Sequence, residues 1–248
     1  MLRKIALLGL ILINALLLPG IEYPEGKSIL VRIDKNMYSQ TNISTSKMIV
    51  HTKRGDRTMV VKSYSEGDKN SFSEYLAPPR DAGTKMLKLE DKLWIYEPSS
   101  DRTIQLSGNM LRQSVMGSDL SYEDFMEETK LQDMYNATVT GEDTLSGKIC
   151  WIVDLKAVNE DVAYSRRILW VDKESFLPMK EERYAKSGKL LKTAVINEVM
   201  KVEGRFYPKS MTFKDELKKG EGTELVIDEI SFDAKIPEFY FTKGALKK

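Results

Sequence analysis

From about residue 44 to residue 232, apolar side chains recur at every second position in one run after another. A period of two belongs to strands with one face turned to an interior, so this chain must bury the matching faces of many strands together. The clearest run has Ile149, Trp151, Val153 and Leu155 on one side and Cys150, Ile152, Asp154 and Lys156 on the other; the first set is expected to face the interior. Met48 and Val50 alternate with Lys47, Ile49 and His51, and after Gly55 and Asp56 the pattern resumes in Met59 and Val61, which reads as a hairpin. Similar runs lie near 70–77, 84–89, 92–97, 102–106, 131–142, 147–157, 164–172, 177–185, 189–201, 205–216 and 222–232. Links such as Glu90-Asp91, Ser146-Gly147, Ser187-Gly188 and Gly220-Glu221-Gly222 are too short for crossovers, so neighbouring strands run antiparallel. The expected fold is mainly β: a strongly curved antiparallel sheet, or incomplete barrel, covered by a few short α-helices.

Two segments depart from that period. Over residues 26–38, Ile29, Leu30, Ile33 and Met37 share one helical face, so an amphipathic helix opens the domain. Within 107–130, Met110, Leu111, Val115 and Met116 suit a short apolar helix ending at Gly117, and Ser121 followed by Glu123 and Asp124 marks the start of a second. Helices inserted into an antiparallel sheet have to cover one of its faces, so both segments are expected on the concave side.

Residues 1–20 place Arg3 and Lys4 before an apolar run from Ile5 to Leu18 and end in Pro19 and Gly20. That is the layout of a secretory signal peptide, too short to span hydrocarbon comfortably, with residues 21–248 as a single mature domain. The bulk of Leu18, three residues before the cut, leaves an uncleaved inner-membrane anchor as the alternative. Export places the protein in the periplasm, where the lone Cys150 has no partner to mispair with.

Lys and Arg number 38 against 37 for Asp and Glu, too balanced for a nucleic-acid-binding footprint. One Cys and one His cannot furnish a multi-histidine or zinc-thiolate centre, and neither a metal nor a cofactor is expected. His51 alternates away from Met48 and Val50 and is expected at the surface. No G-x-S-x-G, Walker A, G-x-G-x-x-G or H-E-x-x-H motif occurs, so no catalytic residue is assigned and the chain is not read as an enzyme.

The order of several local motifs adds a family. Pro78-Pro79-Arg80-Asp81-Ala82-Gly83-Thr84, Leu93-Trp94-Ile95-Tyr96 followed by Pro98, Arg102-Thr103-Ile104, Met116-Gly117-Ser118-Asp119 with Ser121-Tyr122-Glu123-Asp124, and Leu169-Trp170-Val171-Asp172 followed by Pro178 together resemble the LolA-like family of outer-membrane lipoprotein-sorting proteins. The resemblance runs over nearly the whole mature chain. It implies an incomplete barrel of about eleven strands whose apolar hollow shelters acyl chains. It also implies a carrier that takes lipoproteins or lipids from an inner-membrane transporter to an outer-membrane acceptor. The role of the family's functional arginine is not transferred to any arginine of this chain.

Candidate lining residues follow from both lines of reasoning. Met48, Met59, Met86, Met110, Met116, Met126 and Met134 place flexible, polarizable side chains on strands and covers, which suits a site that fills and empties. Of these, Met48, Met59, Met86, Met110 and Met116 form the expected lipid-binding set with Val50, Leu111 and Val115 and the aromatics Trp94, Tyr96, Trp151 and Trp170, the segment 107–117 acting as a lid. Half-buried aromatics are also ordinary strand material. The turn at 78–84 reads as stiff, with Asp81 bonding nearby backbone N–H groups, Gly83 at positive φ and Arg80 in solvent. The functional expectation is a monomeric periplasmic carrier without covalent chemistry. The alternatives are a lipid- or lipoprotein-sensing regulatory module of the same fold and a structural envelope protein.

Overall fold

A computed structural model describes residues 22–53, 55–127, 130–160 and 162–247; the signal-peptide reading of residues 1–20 lies outside them. Helix α1 (Gly26–Met37) precedes β1 (Thr41–Val50), β2 (Arg57–Glu66), β3 (Asn70–Ala77), β4 (Lys85–Leu89), β5 (Lys92–Glu97) and β6 (Arg102–Leu106). An insert with α2 (Tyr122–Met126) and α3 (Leu131–Met134) follows. Then come β7 (Tyr135–Leu145), β8 (Lys148–Ala157), β9 (Arg166–Asp172), β10 (Pro178–Tyr184), β11 (Leu190–Val202), β12 (Arg205–Asp215) and β13 (Thr223–Phe232). Among the described residues thirteen strands form one antiparallel sheet, correcting the expectation of about eleven for this chain.

The strand order is β6-β5-β4-β3-β2-β1-β13-β12-β11-β10-β9-β8-β7. The chain therefore starts in the middle of the sheet, meanders to one edge, crosses to the opposite edge through residues 107–134, and meanders back until β13 pairs with β1. Directly paired residues share a face, so the register traces that face across the sheet. Met48 sits opposite Met59 and Leu225, Val61 opposite Tyr75, and Ser73 opposite Met86. In the other direction Leu225 pairs with Met211, Met211 with Ile196, Ala194 with Glu181, and Glu181 with Leu169 opposite Val153. This is the inner face, and both the insert and α1 lie on it.

The sheet curls tightly around the insert. The Nζ of Lys88, on β4, donates to the carbonyl of Met126 at 3.2 Å, while Asp124, two residues earlier, is bonded by Lys192 on β11. On a flat sheet six strand spacings of roughly 4.8 Å would put those strands about 29 Å apart. Only strong curvature brings both side chains to one short helix.

Helix α1 packs Ile29, Leu30 and Ile33 against Val153, Leu155, Leu169 and Val171, as its apolar spacing demands. Its Asp34 carboxylate accepts the N–H groups of Leu131 and Gln132 at 3.0 and 3.1 Å, seating α3. This contact is why residues 131–134 turn helically where the alternation pointed to a strand from 131. The expected helix of 107–117 is instead two short 3-10 turns, Gly108–Arg112 and Val115–Gly117, interrupted at extended Gln113 and Ser114 and by Met116 at φ 51°. The strand reading of 147–157 is also corrected at its start. Ile149 is 57% exposed, while Cys150 is fully buried against Leu177, Met179 and Ile196 because the β9–β10 turn folds over that end of β8, with Lys173 N–H donating to the Ile149 carbonyl.

The outer face of β2–β5 is covered by the chain's last turns. Tyr240 stacks on Tyr64 with ring centroids 4.0 Å apart, and Ala245 and Leu246 are buried against Phe72, Leu87 and Trp94.

Gly26 marks the closest approach of α1 to the sheet: a Cβ there would lie 2.2 Å from the Ala137 carbonyl oxygen. Helix propensity alone gives alanine an advantage of up to about 1 kcal/mol over glycine, but the steric conflict is with backbone and has no flexible end to yield. Gly26→Ala is therefore expected to lower stability in urea unfolding by more than that gain; a stabilised variant would mean that α1 sits further from β7.

Candidate functional site

The insert lies in the concavity and contributes no strand to the sheet. Its first half is pinned over apolar ground. Val115, only 1% exposed, and Leu120 pack with Met48, Val50, Met59 and Tyr75, while Met116 and Tyr122 adjoin them. Met86, Leu93 and Leu106 form the neighbouring patch, against which Leu111, Tyr122 and Met126 pack. Polar side chains tie this half at its margins. Arg57 donates through Nη1 to the Met116 carbonyl at 3.1 Å and through Nη2 to Asp81 at 2.6 Å. Asp81 thus serves an arginine across the sheet, not the backbone N–H groups of its own turn as expected, while Gly83 at φ 82° and exposed Arg80 match the turn reading. Asp119 accepts the Asp215 N–H and the Thr223 hydroxyl, both at 2.9 Å, and Lys218 donates to the Ser118 carbonyl at 2.8 Å.

The second half of the insert rests on charge. Ser121 donates through its N–H and hydroxyl to Asp124 at 2.7 and 2.8 Å, so the expected start of α2 is closed by the Asp124 carboxylate. Asp124 in turn accepts from Tyr164 Oη at 2.5 Å, from Arg183 Nη1 at 3.3 Å and from Lys192. Glu127 lies 3.6 Å from Arg167 and 3.8 Å from Arg183. Glu181, between the two guanidiniums, accepts from Arg167 and, at 3.1 Å, from Arg183. Alternation along β9, β10 and β11 puts Arg167, Glu181, Arg183 and Lys192 all on the inner face.

These groups set one another's ionisation. Burial alone would push the Glu181 carboxyl up, but Arg167 and Arg183 overcome it and hold it near 2, well below its ordinary 4.5. Asp124 follows the same pattern, burial being outweighed by Arg183 and Lys192. For Glu127 burial wins over the same arginines, and its carboxyl is raised. One of its oxygens, Oε1, is buried without a hydrogen-bond partner, while the Nε of Arg183 faces Glu181 Oε1 at 3.1 Å.

The structure divides the expected lining set. Met48, Val50 and Met59 of the sheet meet Val115 and Met116 of the insert, and Met86 of the sheet meets Leu111 of the insert in the adjoining patch. Met110, on the insert, is 36% exposed. Trp151 lies on the inner face at the α1 end, its ring 5.5 Å from Phe176. Trp94 and Tyr96 point to the outer face, Trp94 beneath Ala245 and Leu246; Trp170 is also outward, donating to Asp143 at 3.2 Å with Lys180 over its ring. A single odd-even assignment along β5 and β9 separates these three from the methionines. His51 bonds Asp56 at 2.9 Å at the β1–β2 turn. The charged half escaped sequence reasoning, although Arg167, Glu181 and Arg183 stand at the parity of apolar Leu169 and Met179. Among the described residues no group of three or more His, Cys, Asp or Glu side chains is arranged to hold a metal, and no helix is long and apolar enough to cross a membrane.

The cluster makes stability acid-sensitive. A carboxylate with a depressed folded value contributes stability above its unfolded value and loses it as pH falls through the folded one. For Glu181 that window runs from about 4.5 down to about 2, and Asp124 acts in the same sense while Glu127, raised, offsets part of it. The thermal midpoint is expected to fall between pH 4.5 and 2.5. Glu181→Gln should be less stable at pH 7 yet lose less over that interval, and an equal drop in both proteins would place the acid sensitivity elsewhere.

Solved structures of the same fold exist. A DUF1329 family protein from Desulfovibrio piger superposes with a TM-score of 0.78 and is 26% identical, the match covering 89% of this chain and 97% of that one. A domain named for outer membrane lipoprotein sorting, from Vibrio parahaemolyticus, gives 0.77 at 22% identity over 90% and 98%. A LolA superfamily protein from Nitrosomonas europaea gives 0.74 at 23% identity over 90% and 100%. No curated protein matches. A family model described as "-like: Uncharacterized protein" matches residues 67–248. The chain belongs to that family, and its fold is the one shared with LolA superfamily and lipoprotein-sorting proteins.

Proposed function

We propose that the protein is a periplasmic carrier that holds the acyl chains of a lipoprotein or lipid against the inner face of β1–β4 and β13, beneath the lifted insert, and delivers them toward the outer membrane without covalent chemistry. The observation that carries this reading is the insert itself. A methionine-rich apolar surface is covered by a segment that crosses from one sheet edge to the other, adds no strand, and is tied down mainly by side chains at its margins. A cover attached in this way can leave without breaking the sheet's hydrogen bonds.

Energetics favour exchange. Each margin hydrogen bond contributes on the order of 1 kcal/mol net, and an acyl chain gains about 0.8 kcal/mol per buried CH₂. A chain of about ten methylenes therefore offers roughly 8 kcal/mol, enough to replace the insert's contacts with Met48, Met59 and Tyr75. Methionines at Met48, Met59, Met86 and Met116 repack around a changed occupant more readily than branched side chains. The partners in this reading are an inner-membrane transporter that loads the carrier and an outer-membrane acceptor that unloads it.

Native mass spectrometry of protein taken gently from its own envelope tests the reading: a bound lipid or acylated peptide is expected, and a homogeneous unliganded chain counts against it. Arg57→Gln, which removes the tie to Met116 and the ion pair with Asp81, should cost about 1–3 kcal/mol of stability while raising affinity for a fluorescent fatty acid several-fold. Unchanged affinity in the folded variant would remove Arg57 as a latch.

A further inference from the structure

The inner face is apolar under one half of the insert and charged under the other, and the charges are divided unequally between sheet and cover. The sheet supplies Arg167, Arg183 and Lys192 against Glu181 alone, an excess of two positive charges on residues that are buried or nearly so. The compensating carboxylates, Asp124 and Glu127, belong to the insert. Lifting the insert, on which the proposed carrier depends, would leave those cations in a concavity with Glu181 as their one sheet carboxylate, and buried charge separated from its partner is costly. The cover has its own imperfect fit here, since Glu127 Oε1 finds no hydrogen-bond partner.

Access exists on both sides of α2. A cleft of about 780 Å³ has Ser121, Tyr164 and Lys192 in its wall, and another of about 540 Å³ reaches Met126 and Glu127. The two surfaces also adjoin. Tyr122 and Met126 of α2 pack on the apolar patches while Asp124 and Glu127 of the same segment meet the cations. A molecule that replaced the insert would therefore meet an apolar bed and a cationic end within the length of one short helix.

We propose that the ligand is an anionic amphiphile whose phosphate, sulfate or carboxylate group takes the place of the Asp124 and Glu127 carboxylates on Arg167, Arg183 and Lys192, while its acyl chain takes the place of Val115 and Leu120 on Met48 and Met59. Asp124 and Glu127 are then the protein's own stand-ins for the ligand's charge. This inference rests on the carrier reading and narrows it to a ligand class. A guanidinium pair with an ammonium is a strong receptor for such a group, because planar forks bind its oxygens in pairs.

The test is a titration of the full mature chain, below micelle concentrations, with dodecyl phosphate, 1-dodecanol, dodecyltrimethylammonium and inorganic phosphate. Dodecyl phosphate is expected to bind at least tenfold more tightly than dodecanol, and the ammonium more weakly than either. Asp124→Asn should widen the preference for the phosphate and Lys192→Gln should narrow it. Equal affinity for the three amphiphiles overturns the anionic assignment and leaves the carrier; failure of all three to bind overturns both. Inorganic phosphate binding as tightly as dodecyl phosphate also overturns it, by making the cluster a site for a free anion. Should either variant fail to fold, the wild-type ratio of dodecyl phosphate to dodecanol decides.

Discussion

Asp124 joins cover and sheet through several partners at once. Its carboxylate holds the start of α2 through Ser121 and meets Tyr164, Arg183 and Lys192 from β10, β11 and the segment before β9. An ionised carboxylate at that depth persists only because two cations and three hydrogen-bond donors replace the water it has lost. Once α2 is seated there, Met126 falls within reach of Lys88 on the other half of the sheet, and two contacts on five residues bridge strands that only strong curvature brings together. The crossing from β6 to β7 then covers the concavity as a consequence of its path between the two edges.

This seat explains why the inner face is built in two materials. Toward α1 the sheet is closed by ordinary packing, with Leu30 and Ile33 buried on Val153 and Leu169, and nothing there is made to part. Toward β1 and β2 the apolar surface is equally buried but its partner is the insert, whose own backbone bonds are few: one isolated bridge between Ser114 and Ser121 and a handful of turns. Cooperative units with few backbone ties open at lower cost than paired strands. In the proposed carrier the sheet is the permanent part and the insert the exchangeable one.

Much of this was legible in the sequence. Period two located nearly all the strands, the face of Ile29, Leu30 and Ile33 located α1, and Ser121 with Asp124 located the start of α2, because each is decided by residues close in the chain. What failed was decided at a distance. Residues 131–134 turn because Asp34, on another element, accepts their N–H groups. Cys150 is buried because a turn more than twenty residues later folds over it. Trp94 and Tyr96 joined the expected lining set by chemical type, although their parity along β5 opposes that of Leu93 and Ile95; aromatic character says that a residue will be buried, not on which face. The charged cluster stayed hidden because an inward Arg or Glu looks like surface until its partners are known.

A buried ion cluster is a poor choice if the only requirement is to keep a cover closed. Packed hydrophobic side chains of the same volume are commonly as stable or more so, and the neighbouring Val115 shows that this insert can be held in that way. The difference lies in the open state. An apolar cover, once lifted, exposes surface to water and is driven back, whereas Asp124 and Glu127 regain full hydration when they leave, which lowers the cost of opening. The cations left on the sheet cannot move into solvent so easily, because Arg167 and Arg183 are anchored to Glu181 and lie at the floor of the curve. In the proposed carrier this asymmetry leaves the demand for a counter-charge on the sheet alone once the cover is lifted.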